Sequence, residues 1–360
     1  MATGQLPPLV KGVSLGQDAW RRLRKSRVAM LCLWTIVAIA LLAIFTPLLP
    51  LQPPDRKMTR LQYAAPEFSP LWVRFEDDTA GAAKVPDEED QQLFRDYPEL
   101  GLISRAMVRI RYRIFGDGSI TSICGRDELG RDVLSRVFWG ARISLLVGLV
   151  AGSVSLVIGV TYGSLAGYIG GAVDNFMMRL VDVLYSIPFM FIVIYILTII
   201  NQPEVKAWLE EIGIGRMTVF FFLVGAIEWL TMARVVRGQV ISLKTEPFVE
   251  AARATGARQG RIIFRHIFPN LVSIVIVYLT LTIPRVMLFE AFLSFLGLGV
   301  EPPDVSWGLL ANEGIKVITP VRVVWWLIFF PSLALGITLF SLNFLGDRLR
   351  DALDPKLASR

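Results

Sequence analysis

Residues 143–173 read ISLLVGLVAGSVSLVIGVTYGSLAGYIGGAV, from Ile143 to Val173 without one charged side chain. A transmembrane helix needs about 20 apolar residues, and this run exceeds that length. In hydrocarbon every backbone N–H and C=O must be paired within the segment, so the run reads as a membrane-spanning helix. We place this span at about 143–166. It carries Gly148-x3-Gly152 and Gly159-x3-Gly163-x3-Gly167. Small residues at that spacing let helices approach closely in lipid, so we read them as packing positions and not as a substrate site.

Working outward, further uncharged runs flank this one. Val28 to Pro54 follows the basic cluster Arg21, Arg22, Arg24, Lys25 and Arg27. The run is longer than a signal-peptide core and no A-x-A site follows it, so it reads as an uncleaved first span at 28–50. Downstream, spans are expected at 183–203, 217–237, 270–299 and 323–346. The expected fold class is an all-α integral membrane protein with six transmembrane helices. The core covers 143–346, and a short segment lies at each end, 1–27 and 347–360. Composition agrees: of 360 residues, 54% are hydrophobic and 19% charged, where a soluble chain carries roughly 25% charge.

Residues 51–142 differ in kind. They are rich in charge and proline, with an acidic stretch from Glu76 to Glu99 and a basic stripe at Arg105, Arg109, Arg111 and Arg113. This is a large hydrophilic insertion between the first two spans. The acidic stretch lacks the D-x-[DN]-x-[DN]-G spacing of a Ca²⁺ loop, and a solvated external subdomain touching another protein is the favoured reading. The pairs Asp127/Arg131 and Asp132/Arg136 are spaced i,i+4, with Leu129, Val133 and Val137 on one face. That spacing predicts an interfacial helix closing the insertion.

Orientation follows from Lys and Arg in short segments. The N-terminal segment and the segments 167–182, 234–266 and 347–360 together carry eighteen, whereas the opposite short loops carry Lys206, Arg216, Lys316 and Arg322. Both termini are therefore expected in the cytoplasm and 51–142 outside. The net charge of +6 reflects this bias and not nucleic-acid binding.

Several chemistries are excluded by counting. The chain has two cysteines, Cys32 and Cys124, and one histidine, His266, which rules out a disulfide framework and any metal site needing two imidazoles. No G-x-x-x-x-G-K-[ST] run occurs, so the chain has no P-loop of its own. No catalytic, cofactor-binding or metal residue is expected.

The longest loop on the basic side, 241–270, reads Glu246-Pro-Phe-Val-Glu-Ala-Ala-Arg-Ala-Thr-Gly256 and continues to Pro269-Asn270. Thr245 can cap a helix that tolerates Pro247 in its first turn. Phe248, Ala251, Ala252 and Thr255 share a face at i, i+3, i+4, i+7, and Gly256 ends the helix as a C′ glycine. A second short helix is expected from about Arg258 to Phe268, stopped by Pro269. Periodicity alone leaves two readings open: a knob for another protein's groove, or a loop packed on its own bundle.

Glu250-Ala251-Ala252-x3-Gly256 followed by Pro269 is similar to the E-A-A loop of bacterial ABC importer permeases. Arg265-His266 and Pro269-Asn270 resemble the variant found in the peptide/nickel permease family, where His266 and Phe268 replace the Ile and Leu of the general pattern. Gly125-Arg-Asp127-Glu-Leu-Gly130-Arg131-Asp132, then Ser135-Arg136, Gly140, Arg142 and Ser144-Leu145, resembles that family's approach to span two, with Arg126 at the usual Thr. Ser294-Phe-Leu-Gly-Leu-Gly299, Pro302-Pro303, Ser306-Trp307-Gly308 and Gly346-Asp347-x-Leu349-Arg350-Asp351 also match, as does the weaker Trp20-Arg-Arg-Leu-Arg. The resemblance covers roughly 17–50 and 124–356, and is to the C-type permease of dipeptide and oligopeptide transport.

The resemblance implies a multi-pass permease subunit in the bacterial inner membrane that performs no covalent chemistry. It would pair with a second, homologous permease, with two ABC ATPase subunits below and an extracytoplasmic substrate-binding protein above. ATP and Mg²⁺ would sit on the ATPases. Glu250, Ala251, Ala252, Gly256, Arg265, His266 and Pro269 would couple to them. Di- or oligopeptides are the favoured substrates within a family that also carries nickel chelates and opines.

Three charges interrupt the apolar runs: Glu228, Arg285 and Glu290. Intramembrane charge is costly and marks function by default. They read either as pathway-lining or gating residues, or as a buried structural pair such as Glu228 with Arg285. They would also be the core of the competing function, a stand-alone secondary carrier, although no internal repeat of the kind such carriers show is visible. A membrane-anchored enzyme sited in 51–142 is disfavoured, because that segment has no histidine and Cys124 has no evident base nearby.

Overall fold

Cap residues and prolines set where the helices of this chain start and break. The structure is a computed structural model, and it describes residues 15–74, 94–98, 100–212, 216–320 and 323–353. Helix α1 (Leu15–Lys25) turns into α2 (Arg27–Phe45) at Ser26, whose hydroxyl accepts from the Ala29 N–H at 3.3 Å. A 3₁₀ turn, Thr46–Leu48, completes the first apolar rod. The segment to residue 132 holds strand β1 (Trp72–Arg74), helix α3 (Leu102–Phe115) and strand β2 (Gly118–Ile120). The strands pair antiparallel, Trp72 opposite Ile120. The chain is thus mostly helical but not wholly so. Apart from Arg95 and Asp96, the charged residues of the acidic stretch Glu76–Glu99 lie outside the described residues.

Helix α4 (Val133–Ile169) is the axis of the bundle. It starts ten residues before the expected span because Asp132 caps it, accepting from the Ser135 N–H at 2.9 Å. The expected interfacial helix forms only from Val133 on, as the first turns of α4, whereas residues 125–132 form a turn closed by a bridge between Arg126 and Asp132. Asp127 takes both the Leu129 and Arg131 N–H groups on one carboxylate oxygen, 2.9 Å each, which holds the turn against helix formation.

The expected straight span at 183–203 is a bent pair instead. Helix α5 (Gly171–Ser186) breaks at Ile187-Pro188 and α6 (Phe189–Ile200) leaves at 77°. Pro188 has no N–H and drives Ile187 to an extended backbone (φ −84°, ψ 128°). Helix α7 (Pro203–Glu211) follows, then α8 (Arg216–Leu243), itself bent by 41° at residue 227. Helices α9 (Pro247–Ala254) and α10 (Gln259–Ile262) lead through a π turn, Ile263–Ile267, into α11 (Phe268–Phe295). Pro269 therefore does not stop a helix. The widened turn before it carries the chain on as one rod, 259–295. Helix α12 (Trp307–Lys316) is capped by the Ser306 hydroxyl, and α13 (Trp326–Leu353) runs seven residues past the expected span end. Among the described residues, four rods are long and apolar enough to cross a membrane, and two bent pairs raise the count to six if each is one span.

The glycines of α4 set the packing. A Cβ on Gly163 would stand 2.4 Å from the Ala233 carbonyl oxygen, and one on Gly159 would stand 2.6 Å from Met232 Cβ, so α8 lies directly on this stripe. On the other side, Gly148 meets Ile283 and Met287 of α11. Thr46 Oγ1 donates to the Phe138 carbonyl at one end of α4, and Lys244 Nζ donates to the Gly167 carbonyl at the other. These ends are about 45 Å apart at 1.5 Å per residue. The insertion and the 241–270 loop thus occupy opposite ends of the same helix.

Candidate functional site: the 241–270 loop and the buried polar junctions

At the α8 end, α9 is built by its termini. Glu246, not Thr245, is the N-cap residue, and Pro247 takes the first helical position. Gly256 (φ +79°) closes the helix: its N–H donates to the Arg253 carbonyl at 3.0 Å and the Ala257 N–H to the Ala252 carbonyl at 3.1 Å. That is a Schellman closure, and it needs a residue at ease in the left-handed region. Val249 (0% exposed) and Ala252 face the bundle, packed with Val240, Ile262, Ile267 and Leu271. The buried face is therefore Val249–Ala252. Phe248, Glu250, Ala251 and Thr255 are exposed, and Phe264 of the π turn is 74% exposed. Both readings of the loop have a physical counterpart, one face on its own bundle and another open. Arg265 and Pro269 are exposed and His266 is half-buried. Behind the loop, Arg237 of α8 grips Asp174 of α5 through both nitrogens, Nη2 to Oδ2 at 2.6 Å.

At the insertion end, the 125–132 turn is a buried polar hub. Asp127 Oδ2 accepts from Arg131 Nε at 2.7 Å and from Arg136 Nη1 at 2.8 Å. Arg136, 1% exposed, also donates both of its terminal nitrogens to Glu313 of α12. Arg126 donates to the Gly130 carbonyl at 2.7 Å and to Gln52 Oε1 at 3.1 Å, while Trp326 of α13 donates to the Arg126 carbonyl. Ser135 Oγ donates to the Gln52 carbonyl. The expected Asp127/Arg131 pair forms, but Asp132 is a helix cap and Arg136 turns to Glu313. Burial holds the Asp132 carboxyl at about 6, above the usual aspartate value. Sequence reasoning missed Gln52 and Glu313, because nothing local marks a partner 74 or 177 residues away. Cys124 is buried in this region and its thiol is pushed up to about 12 by burial, so a nucleophilic thiolate is not available there.

A second junction gathers around Glu290. It is fully buried on α11 and accepts from Ser294 Oγ at 2.7 Å, with the hydroxyls of Ser306 and Ser144 facing the same carboxylate. Ser294 Oγ in turn accepts from the Val300 N–H, and Asn312 donates to the Ser294 carbonyl. The Trp307 N–H reaches Ser144 Oγ at 3.1 Å, and its indole reaches the Val137 carbonyl. Ser294–Gly299 and Ser306–Gly308 thus fold α12 back onto α4 and α11. Glu290 joins neither of the other two intramembrane charges. Glu228 is half-buried at the bend of α8, and the charge of Arg285, exposed on α11, acts on it.

These features define a polytopic helical membrane protein with an outward-facing loop helix at one end and a folded insertion at the other. Residues 159–359 match the family of binding-protein-dependent transport system inner membrane components, and residues 14–66 match the N-terminal transmembrane domain of oligopeptide transport permease C. The chain belongs to this family of inner-membrane transport permeases. It is 40% identical to the oligopeptide transport system permease protein OppC of Escherichia coli (strain K12), over 96% of this chain and 93% of that protein. It is 35% identical to the dipeptide transport system permease protein DppC of Bacillus subtilis (strain 168), over 96% and 87%. Over 65% of this chain and 73% of the other protein it is 40% identical to the glutathione transport system permease protein GsiD of Pectobacterium atrosepticum.

Proposed function

We propose that this chain is the transmembrane permease subunit of an ATP-driven importer of di- or oligopeptides. It forms the pathway with a second, homologous permease and takes its motion from two ABC ATPases through the 241–270 loop. The observation that carries this reading is the open face of α9, where Phe248, Glu250 and Ala251 face outward from a helix pinned by Val249 and Ala252. A helix fixed on one side and open on the other can pass a push from a partner into α8 and α11. Arg265, His266 and Pro269 continue that surface. Each bent helix pair counts as one span, which gives six. With both termini cytoplasmic, the insertion faces a substrate-binding protein outside. Support for that orientation comes from the basic bias of the loops and from the separation of loop and insertion along α4. The peptide substrate rests on the names of the relatives. The chain holds no cofactor, and ATP and Mg²⁺ belong to the ATPase chains. Glu228 and Arg285 line or gate the pathway. Residues 1–27, 28–50, 51–142, 143–346 and 347–360 are the working divisions of the chain.

The test is purification of the tagged chain from its native membranes in mild detergent, with every co-purifying chain quantified. ATPase chains and a second permease are expected, and Glu250→Lys or Gly256→Val should release the ATPases while keeping the permease pair. Recovery of this chain alone across several gentle detergents would overturn the reading in favour of a self-sufficient carrier built on Glu228, Arg285 and Glu290.

A further inference from the structure

Helix α5 owes little of its place to apolar packing. Of its residues only Asp174 and Val181 are buried. Among the described residues, none from α5 joins the cluster of Val236, Val240, Val249 and Ile262 at the loop end. Its ends do not fix it either. It leaves α4 through Gly170 and Gly171, both left-handed at φ +71° and +61°, and it breaks from α6 at Pro188. Two glycines in that region form a joint that can absorb a change of angle at low steric cost.

What holds α5 is a row of polar contacts. Arg237 of α8 donates from Nε and Nη2 to the two Asp174 oxygens. Two turns along α5, Arg234 donates to Asp182 Oδ1 at 2.9 Å and lies 4.3 Å from the centroid of the Tyr185 ring, and the Tyr185 and Thr231 hydroxyls share a hydrogen bond of 3.2 Å. From α4, the Tyr162 hydroxyl donates to the Met177 carbonyl at 2.9 Å. The two ion pairs differ in kind. The Asp174 and Arg237 side chains are 9% and 33% exposed, those of Asp182 and Arg234 57% and 41%. An exposed pair contributes little, whereas a two-pronged guanidinium–carboxylate contact fixes direction as well as distance. Arg237–Asp174 is the firm attachment.

Arg237 also sits where the inner face of the loop arrives. Val249 of α9 packs with Val236 and Val240 of α8, which bracket Arg237 in the chain. We infer that the Arg237–Asp174 clamp passes displacement of α9 and α8 into α5, and through it to the bend at Pro188. The two are positioning residues for the transport cycle. The clamp makes α5 follow α8 without a shared apolar core, and the Gly170–Gly171 joint lets it do so while α4 stays in place. The clamp has this role only if the 241–270 loop couples to ATPases, as proposed above; what it adds is the route beyond α9.

The test uses the full chain with its co-purifying partners in lipid nanodiscs, read by spin-label distances. Cys32 and Cys124 are buried, whereas Val157, Phe176 and Ser242 are exposed, so labels can be placed selectively. Val157→Cys with Ser242→Cys reports α8 against α4, and Val157→Cys with Phe176→Cys reports α5 against α4. Trapping the ATPases with Mg²⁺-ATP and vanadate should shift both distances when the clamp is intact. In Asp174→Asn or Arg237→Gln the shift at 242 should remain, while the shifted population at 176 falls by roughly 2- to 30-fold, the range seen for residues on a coupling route. The charge exchange D174R/R237D should restore it. A salt bridge that only stabilises the fold would lower Tm and leave both shifts. A shift at 242 without one at 176 in the clamp-intact protein overturns the inference, and needs no variant that could misfold. So does a shift at 176 that survives loss of either partner, or an assembled D174R/R237D that fails to recover it. If no ATPase is present, or nothing shifts at 242, the coupling reading itself falls and the clamp with it.

Discussion

Arg136 offers the sharpest test of how the insertion end is held. Its guanidinium is 1% exposed and sits between Asp127, 5% exposed, and Glu313, 23% exposed. Replacing it with Met keeps much of the stem volume and leaves two carboxylates without that cation. Asp127 keeps Arg131 at 2.7 Å, whereas the nearest other cation to Glu313 is Arg131 at 3.6 Å. Breaking a buried pair from one side costs about 3–5 kcal/mol, because the remaining charge is stranded. At an ordinary melting entropy per residue this is a fall of about 4–7 °C in Tm for a chain of 360 residues. Glu313→Gln is expected to cost less, since Glu313 is partly solvated and the amide still accepts a hydrogen bond. The informative variant is R136M/E313Q, which removes the stranded charge. It should be more stable than R136M, with a coupling of about 1–3 kcal/mol in the double-mutant cycle. The assay is thermal unfolding of the purified permease in nanodiscs, with all four proteins in one lipid and one buffer. If the two changes simply add, Arg136 and Glu313 do not work as a unit, and the hub is not what joins α12 to α4.

Three further outcomes follow from the same geometry. Asp132 has a folded value of about 6 against 3.8 for an ordinary aspartate, so the native state holds a proton that the unfolded chain has lost. Its contribution is most favourable below pH 4, declines as pH rises from about 4 to about 6, and is flat above, a change of about 3 kcal/mol. Asp132→Asn keeps a good helix cap and should remove that slope from Tm measured between pH 4 and 7 relative to wild type; equal slopes would contradict the burial argument. Gly163→Leu forces α4 away from the Ala233 carbonyl and should cost at least 1–3 kcal/mol, read as a Tm fall, while Gly238→Leu on α8, where nothing lies within 4 Å, should be tolerated. Gly256→Val puts a β-branched residue at φ +79° and should cost about 1–2 kcal/mol locally, seen as loss of ATPase-coupled transport with the permease still folded.

Much of the chain was legible because the bilayer imposes simple rules. Ile143–Val173 announces a span by length and lack of charge alone. The glycine spacing in it names the packing face before any partner is known, and α8 indeed lies there. The E-A-A stretch and Gly256 gave a helix and its end from local backbone chemistry, although the cap moved by one residue to Glu246. The errors share one cause. Pairs at i,i+4 in 127–136 match a helix and a turn equally well until the Asp127 carboxylate takes the turn's own N–H groups. Pro269 stops a helix in isolation, but a packed π turn carries the chain past it.

The sequence by itself determined which segments are apolar rods, which loops carry the cations, and that no nucleotide-binding loop or two-histidine metal site lies on this chain. Those are local or additive properties, set by transfer energy and residue chemistry. Only the tertiary structure decided that Glu290 lies apart from Glu228 and Arg285, that Arg136 belongs to Glu313, and that Ile103, Ile110 and Ile114 of α3 are exposed. Each is a matter of which distant residues share one buried space, and pairing a buried charge is a requirement that spacing along the chain cannot satisfy or reveal.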